Sequence, residues 1–362
     1  MGKLGLFIEE ITEKTTKNNQ YEVLTSSQNG IISQEEYFNK QIASVDNIGY
    51  KIIRRGQFTY RSMSDTGRFY INRLINKEVG IVSPAYPVFK LVGNKLDPEY
   101  LELFFQSEAF QRQISDKSSG STRLALRFSK LENVEIDVPS IEIQRKIVDT
   151  VKRLKATINT EDNELVLCDE LIKSRFNEMF SAFPKVELSQ ISQIIMGQSP
   201  ESTAYNDDGI GLPFFQGKAD YGEKYTIVKH YTKKWNKEAK RGYVLMSVRA
   251  PVGPVNIAST DCAIGRGLCA MNAKPNKANN EFLYNALNSM QQEIVLSGKD
   301  GSTFAAINKD QVYKLLLPQA PIELQNDFSE FVHRVDKLKF NVQKRIEKYK
   351  ELLNKKMDEY FN

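Results

Sequence analysis

Ile141-Glu142-Ile143-Gln144 recurs in this chain as Ile322-Glu323-Leu324-Gln325, and each copy opens a long stretch with a helical apolar pattern. The offset from 141 to 322 is 181 residues, half of the 362-residue chain. Gly120-Ser121-Thr122 recurs at the same offset as Gly301-Ser302-Thr303. A repeat this long indicates one domain-plus-helix unit used twice, and two similar units in one chain can form a pseudo-dimer.

The apolar residues of both long stretches alternate between spacings of four and three, which is typical of a packed helix with one apolar seam. We predict an antiparallel pair, because the simplest way to bury two such stripes is against each other. The alternative is two amphipathic helices, each packed on its own domain. The predicted seam residues are Val151, Leu154, Ile158, Leu165 and Ile172 in the first helix and Val335, Leu338, Val342, Ile346 and Leu353 in the second.

The sequence outside these helices is rich in β-branched and aromatic residues separated by Gly and Asn, which favours strands. We therefore predict an α+β protein, in which two similar domains are separated by two long antiparallel helices. The predicted boundaries are domain 1–140, helix 141–183, domain 184–320 and helix 321–362. The strand-rich parts, about 20–95 and 190–275, show almost no likeness. This predicts one scaffold with two different faces.

The composition is that of a globular chain, with 41% hydrophobic residues, 50 basic and 45 acidic residues and a net charge of +5. A mildly basic balance permits nucleic-acid contact, but ordinary solvated surfaces produce it as well. Cys168, Cys262 and Cys269 are scattered, which indicates buried thiols of a reducing compartment. No Cys/His cluster has zinc-ligand spacing, so we predict no metal site. Without an apolar run near about 18 residues or a signal-peptide core, we expect a cytoplasmic protein with no membrane span.

Catalytic motifs are nearly absent from the sequence. It contains no Gly-Lys-Ser/Thr phosphate loop. Gly265-Arg266-Gly267-Leu268-Cys269-Ala270 fits a relaxed dinucleotide fingerprint, but that motif should open a helix, and Pro275 follows shortly afterwards. Ser83-Pro84-Ala85-Tyr86 lacks the second Pro of the Pro-Pro-aromatic loop of amino-methyltransferases. We therefore predict a chain that is not itself an enzyme.

Polar and basic loop residues with interleaved aromatics are the remaining functional candidates. Arg can pair with guanine edges and Gln with adenine, while Lys mostly neutralises phosphate. We predict DNA contacts from Arg54, Arg55, Tyr60, Arg61, Ser62, Arg68, Arg73, Gln198, Ser199, Gln216, Lys218, Lys224, Arg249 and Arg266. Ser121, Thr122, Ser302 and Thr303 are candidate phosphate binders or parts of plain turns. For each single residue, ordinary surface polarity is the alternative.

Several segments together resemble the DNA-specificity (S) subunit of Type I restriction–modification systems. The resemblance covers essentially the whole chain, and the order of the motifs, in two copies, is its specific part. The segments are Tyr21-Glu22-Val23-Leu24-Thr25, Gly30-Ile31-Ile32-Ser33-Gln34, Gly49-Tyr50-Lys51, Val82-Ser83-Pro84-Ala85-Tyr86, Met196-Gly197-Gln198-Ser199-Pro200, Leu212-Pro213-Phe214-Phe215-Gln216-Gly217, Val248-Arg249-Ala250-Pro251-Val252-Gly253 and Gly265-Arg266-Gly267.

The resemblance implies a non-catalytic reader of a bipartite double-stranded DNA target. Each domain would read one half, and the helices would set the spacer and dock two modification (methyltransferase) subunits. Those partners would carry S-adenosylmethionine and methylate adenine N6. A restriction/translocase subunit would use ATP with Mg, so no cofactor is expected in this chain.

Two other classes of protein stay open at this point. A helical adaptor whose globular ends bind proteins would show no salt-sensitive DNA binding. An enzyme with an unrecognised site would transfer methyl groups as an isolated chain.

Overall fold

The computed structural model describes residues 1–37, 46–115, 124–297 and 306–362. The chain forms two compact units, one of Met1–Glu161 with Lys344–Asn362 and one of Asp162–Gln343. Each unit therefore contains one strand-rich domain together with part of both long helices. This division cuts through the helices, whereas the predicted boundaries separate helix from domain, and those boundaries stay a prediction.

The described residues form ten α-helices and 23 strands. The helices are α1 Gln34–Tyr37, α2 Pro98–Gln106, α3 Glu108–Ile114, α4 Phe128–Glu132, α5 Ile141–Phe180, α6 Leu188–Ile191, α7 Asn280–Ser289, α8 Gln291–Ser297, α9 Lys309–Tyr313 and α10 Ile322–Phe361. The strands of the first unit are β1 Gly2–Lys3, β2 Ile8–Glu10, β3 Leu24–Ser27, β4 Gly30–Ser33, β5 Lys51–Arg54, β6 Phe58–Thr59, β7 Met63–Ser64, β8 Asn72–Arg73, β9 Val79–Val82, β10 Val88–Leu91, β11 Leu124–Ala125 and β12 Glu135–Ile136. The strands of the second unit are β13 Lys185–Glu187, β14 Ser192–Met196, β15 Tyr205–Asn206, β16 Leu212–Phe215, β17 Tyr231–Thr232, β18 Glu238–Ala239, β19 Val244–Ser247, β20 Val255–Ile257, β21 Cys262–Ile264, β22 Leu268–Ala273 and β23 Leu316–Pro318.

Both domains contain a four-stranded antiparallel sheet of the same topology. The strand order is β2-β10-β6-β8 in the first domain and β14-β22-β19-β20 in the second. In each sheet the last strand in chain order therefore lies between the first and the second. The sequences of these strands show almost no likeness, because a sheet requires the right alternation of buried residues rather than particular ones.

The remaining strands differ between the two domains. The second domain adds a five-stranded sheet in the order β15-β17-β16-β21-β18. Among its described residues, the first domain has the two-stranded pairs β3–β4 and β5–β9 instead. The shared sheet thus carries different additions, in agreement with the prediction of one scaffold with two faces.

Strands that flank the long helices also correspond between the units. In the second unit β13 pairs with β23, where Val186 lies opposite Leu317. In the first unit β1 pairs with β12, where Gly2 lies opposite Ile136. Since Ile136 and Leu317 are 181 residues apart, the first residues of the chain take the place that the residues after α5 take in the second unit.

The long helices contribute to the hydrophobic core of each unit. In the second unit the rings of Phe180 and Phe282 lie 4.9 Å apart and those of Phe180 and Phe328 5.4 Å apart, with all three side chains fully buried. In the first unit the ring of Phe361, from α10, lies 5.1 Å from that of Tyr100, from α2. Each helix is therefore an integral part of a domain core and not an external linker.

Within each unit the two long helices run antiparallel. In the first unit both carboxylate oxygens of Glu161 accept hydrogen bonds from Nε of Arg345, at 3.0 and 2.9 Å. Earlier residues of α5, including Val151, share a core there with later residues of α10, including Leu353. In the second unit Phe176 meets Phe328, with ring centroids 5.5 Å apart. The predicted antiparallel pair is confirmed.

The structure corrects one predicted seam residue. Val151, Ile158, Val335, Val342 and Ile346 are buried, and Leu154, Leu165, Ile172 and Leu353 are half-buried. Leu338 is 42% exposed. The inward position next to it is Lys339, whose side chain is 13% exposed and whose Nζ lies 2.7 Å from Asp169 and 2.5 Å from Glu223. A lysine can occupy a seam because its long stem packs like an apolar residue while its ammonium reaches carboxylates at the edge.

The glutamine of the repeated Ile-Glu-x-Gln motif is fully buried and binds only backbone groups in the first unit. Oε1 of Gln144 accepts the backbone N–H of Asp97 at 2.7 Å. Its Nε2 donates to the carbonyls of Lys95 and Pro139, both at 2.8 Å. Asp97 is the N-cap residue of α2, so one side chain joins the first turn of α5 to the start of the domain helix.

The second unit repeats this arrangement. Oε1 of Gln325 accepts the N–H of Asn279, the N-cap residue of α7, at 3.1 Å. Its Nε2 donates to the carbonyls of Lys277 at 3.1 Å and Ala320 at 2.9 Å. We call these two sets of bonds the glutamine clamps.

Removing either clamp is expected to destabilise the unit that contains it. Gln144→Ala or Gln325→Ala leaves a backbone N–H and two carbonyls without their partner, which we expect to lower the free energy of unfolding by about 2 kcal/mol. Denaturant titration measures the loss, and hydrogen exchange at Asp97 or Asn279 localises it. Gln292→Ala, at an exposed glutamine, is the matched control. Unchanged stability and exchange in both clamp variants would contradict the assigned role.

The corrected seam predicts a contrast between two positions on α10. Val342→Ala removes buried methyl groups and is expected to cost about 2 kcal/mol of stability. Leu338→Ala removes an exposed side chain and is expected to cost less than about 0.5 kcal/mol. Thermal and denaturant unfolding of the two variants measures this difference. A larger loss of stability for Leu338→Ala than for Val342→Ala would show that Leu338 belongs to the apolar seam, as its spacing predicts.

Candidate nucleic-acid interface

Two loops of the second domain are joined by hydrogen bonds around the end of β21. The N–H of Gln198 donates to the carbonyl of Ile264 at 3.0 Å. The N–H of Arg266 donates to Oγ of Ser199 at 3.1 Å. Gln198, Ser199 and Arg266, three predicted DNA contacts, therefore lie on one surface although they are distant in sequence.

Glycines allow a third loop to approach the same point. A Cβ at Gly267 would lie 2.2 Å from the carbonyl oxygen of Gln216, and one at Gly197 would lie 2.1 Å from that of Gly265. Neither position tolerates a side chain without movement of the backbone. The Gly265–Gly267 segment leads into strand β22 and not into a helix, so its glycines serve close packing of loops and not a dinucleotide fold.

The loop that carries Gln216 and Lys218 is fixed by one buried carboxylate. Oδ2 of Asp220 accepts the N–H of Gln216 at 2.7 Å and the N–H of Gly217 at 3.3 Å. With the backbone held in this way, the side chains of Gln216 and Lys218 are exposed to solvent. Both are thus available to a ligand at the surface that the neighbouring loops form.

Two of the predicted arginines line one cleft of this domain. The cleft has a volume of about 380 Å³, and its lining is Met196, Val248, Arg249, Arg266, Ala306, Ile307, Asn308 and Gln311. Arg249 and Arg266 are exposed, and neither has a carboxylate partner within the described part of the chain. With two guanidinium groups and no acidic side chain in this lining, the cleft is suited to an anionic ligand. We call this cleft, together with the loops of Gln198 and Gln216, the arginine surface.

Lys224 does not belong to the arginine surface. Its side chain is 15% exposed, and Nζ lies 2.9 Å from Glu281 on α7 and 2.5 Å from Asp336 on α10. Burial alone would lower the pKa of Lys224, but these two carboxylates outweigh it and raise that pKa. Lys224 therefore stays charged and fixes its loop to α7 and α10. This role corrects the assignment of Lys224 as a DNA contact.

Three arginines of the first domain form exposed ion pairs. Arg54 lies 2.6 Å from Glu13, Arg55 lies 3.0 Å from Glu78, and Arg68 pairs with a glutamate of α3, Glu108. Exposed pairs of this kind contribute about 1 kcal/mol or less, so a phosphate can replace the carboxylate. These arginines stay candidates for DNA contact.

The burial of Arg73 and Tyr60 corrects their assignment as DNA contacts. Arg73 is 15% exposed and donates two hydrogen bonds to the carboxylate of Glu102, at 3.1 and 3.2 Å. Tyr60 is fully buried against Phe89, and its hydroxyl has no partner among the described residues. Burial raises the pKa of this phenol, which keeps it neutral. Both side chains hold the domain together and do not face a ligand.

Arg61 lies beside an arginine that the sequence analysis missed. Strands β7 and β11 pair, and the ladder continues with a bond from the N–H of Leu126 to the carbonyl of Ser62 at 2.9 Å. The residues that follow in this register are Arg61 and Arg127, the N-cap residue of α4, and both are exposed and without a described carboxylate partner. No local motif marks Arg127, because only the strand pairing brings it next to Arg61.

Four predicted residues lie outside the described ranges, namely Ser121, Thr122, Ser302 and Thr303. Their assignment as phosphate binders stays a prediction.

Comparison with known proteins assigns the chain to a family. The family model described as "Type I restriction modification DNA specificity domain" matches residues 8–167 and again residues 181–351. The chain belongs to this type I restriction–modification DNA specificity family. Each match covers one strand-rich domain and most of one long helix, so the resemblance and the internal repeat found in the sequence are confirmed.

Relatives of this specificity family include a protein of Methanocaldococcus jannaschii named putative type I restriction enzyme MjaX specificity subunit. It is 30% identical over 269 residues, which cover 68% of this chain and 63% of the relative. The chain thus spans less than two thirds of that relative. The expectation of a specificity subunit agrees with the relative's name.

Two solved structures have a similar fold. A chain described in connection with complex assembly and conformational transition of the type I R-M system is 26% identical, with a TM-score of 0.70 over 99% of this chain and 96% of that one. The S subunit of a type I restriction–modification system from M. genitalium is 14% identical, with a TM-score of 0.55 over 100% and 95% of the two chains. The second likeness concerns the fold alone.

Neither a metal site nor a membrane-spanning helix is found among the residues that the structure describes. No group of three or more His, Cys, Asp or Glu side chains there is placed to hold a metal ion. No described helix is long and apolar enough to cross a membrane.

The arginine surface predicts the effect of single substitutions on DNA affinity. Arg249→Ala and Arg266→Ala are each expected to weaken binding by roughly 10-fold to 100-fold, the range for a lost arginine–base or desolvated arginine–phosphate contact. Filter binding of a duplex measures the change. Arg334→Ala, at an exposed arginine on α10, is the matched control. Equal affinity of all three variants and the unaltered protein would contradict the assignment.

Proposed function

We propose that this chain reads a bipartite double-stranded DNA target, with one half recognised by each domain. The arginine surface is the observation that carries the proposal, since it collects Gln198, Gln216, Lys218, Arg249 and Arg266 on loops braced by backbone hydrogen bonds. Arg and Gln are the side chains that pair with guanine and adenine edges, and Lys neutralises phosphate. Family membership supports target recognition by such a surface.

The first domain is proposed to read the other half of the target through Arg61 and Arg127. Arg54, Arg55 and Arg68 are proposed to leave their carboxylate partners and bind DNA phosphates. The shared sheet with different added strands supports two different half-sites. Affinity is expected to depend largely on phosphate contacts and therefore to fall steeply with salt. The unspecified spacer is expected to follow the length of the two 40-residue helices.

We assign the chemistry to partner subunits. Two modification subunits would bind S-adenosylmethionine and methylate adenine N6, which requires the base to leave the stack for a pocket of the partner. A restriction/translocase subunit with ATP and Mg would act on unmodified DNA, and the complex would work in the cytoplasm. In this proposal the chain binds no cofactor and supplies only recognition.

Methylome sequencing tests the proposal directly. A host that carries this chain with its modification subunit is expected to show a split motif with N6-methyladenine on both strands, and a deletion of the chain is expected to lose it. Exchanging residues 1–140 for the same domain of another family member should change one half of the motif only. A change in both halves would contradict modular reading.

The same experiment separates the rival functions. If the modification subunit is expressed and no methylated motif depends on the chain, the adaptor function gains support. If the complex also shows no salt-sensitive DNA binding, the adaptor function replaces the proposed DNA recognition. Methyl transfer by the chain alone would show an enzyme with its own site.

A further inference from the structure

Positive charge is concentrated in one short stretch of the second domain. Residues 229–241 contain six basic residues and one acidic residue, a net charge of +5, which equals the net charge of the whole 362-residue chain. The rest of the sequence is therefore neutral on balance. Such local concentration is an electrostatic footprint of a polyanion partner.

Three lysines of this stretch have neither a carboxylate nor a carbonyl partner for their ammonium group within the described structure. Lys240 pairs with Asp261 at 3.1 Å, and Lys229 donates to the carbonyl of Ala219 at 2.6 Å. The exposed side chains of Lys233, Lys234 and Lys237, by contrast, meet no described carboxylate. They flank Trp235 in the segment 233–237 between β17 and β18, which we call the tryptophan loop.

The tryptophan loop has a defined backbone. The N–H of Lys233 donates to the carbonyl of Ala204 at 3.1 Å. Oγ1 of Thr232 donates to the carbonyl of Lys234 at 2.6 Å. At the other end, the carbonyl of Lys237 accepts the N–H of Ile264 at 3.1 Å. A loop held at both ends presents its side chains in fixed directions and loses little conformational freedom on binding.

Trp235 is the only tryptophan of the chain, and it is 45% exposed. The indole of tryptophan offers a flat apolar face and one N–H donor. An apolar partner protein would not require the three free lysines beside it. A nucleic acid satisfies both features, since its phosphates match the ammonium groups and its sugars and base edges match the ring.

The tryptophan loop is continuous with the arginine surface. Ile264 donates its N–H to Lys237 and accepts the N–H of Gln198 at 3.0 Å through its carbonyl. One residue thus joins the end of the tryptophan loop to the loop of Gln198, and Arg266 follows two positions later. The tryptophan loop therefore adjoins the arginine surface within the same domain.

We infer that the tryptophan loop is a second DNA-binding element of this domain, an inference that rests on the proposed function. Lys233, Lys234 and Lys237 bind phosphates, and the indole of Trp235 lies in a groove against sugars and base edges. The arginine surface supplies recognition of bases, while the loop fixes the position of the domain along the duplex.

The single tryptophan provides a direct test. The chain is produced with 5-fluorotryptophan, assembled with an unlabelled modification subunit, and mixed with a duplex that carries the motif found by methylome sequencing. Its one ¹⁹F resonance is expected to shift and to lose solvent accessibility when DNA is bound. Trp235→Ala is expected to weaken binding by roughly 10-fold, and Trp235→Phe by less, because a ring is retained.

Lysine substitutions test the phosphate contacts independently. In the triple variant Lys233→Gln, Lys234→Gln, Lys237→Gln, the slope of log affinity against log salt is expected to become shallower by about 2 to 3, close to 0.9 per phosphate. Replacing three exposed lysines that lie outside the long helices and the proposed DNA contacts, Lys95, Lys185 and Lys277, by glutamine is the matched control and should leave the slope unchanged.

The outcomes distinguish the inference from the proposed function. If the complex binds the duplex while the resonance stays in place and the loop triple variant keeps its slope, the tryptophan loop is not a DNA contact and the proposed function still stands. If the complex binds no duplex at any salt concentration, the proposed function fails and the inference fails with it. Thermal unfolding of each variant shows that the fold is retained.

Discussion

The glutamine clamps are the contacts on which the rest of the architecture depends. One buried amide in each unit, Gln144 or Gln325, joins the first turn of a long helix to the N-cap of the domain helix. Its partners are all backbone groups, so the contact does not depend on the side chains of the domain. Strand and loop sequences can therefore diverge while the joint between helix and domain is kept. The same sheet order with unrelated strand sequences is the observed result of that freedom.

Basic residues have two distinct roles in this chain, and burial decides between them. Lys224, Lys339 and Arg73 lie with carboxylates in poorly solvated positions. For Lys339, burial alone would lower its pKa, but Asp169 and Glu223 reverse the effect and raise it, so the group stays charged near neutral pH. Arg249 and Arg266 lie at the surface without such partners. Only the second group can bind phosphate without giving up an existing ion pair.

The sequence was sufficient for the helices, because their periodicity is strong and their first residues, Ile141 and Ile322, open the motif that repeats. It was insufficient where the outcome depends on contacts between distant residues. Leu338 matches the apolar spacing, but Glu223, which helps to draw Lys339 inward, belongs to a loop of the domain. Arg73 appears as a surface charge until folding places Glu102 beside it. The position of Arg127 next to Arg61 likewise depends on strand pairing, which local sequence does not encode.

The polar seam residues differ between the two halves, although the clamps repeat. The 181-residue offset equates Glu161 with Val342 and Lys339 with Ile158, so neither charged position has a charged counterpart. An apolar seam with a uniform four/three spacing is compatible with helices shifted by whole heptads. A shift here would separate Glu161 from Arg345 in the first unit and Lys339 from Asp169 in the second, leaving charges against apolar side chains. Because Glu161 and Lys339 are largely buried and would lose their partners, these asymmetric pairs favour one register, which the repeated apolar residues alone do not.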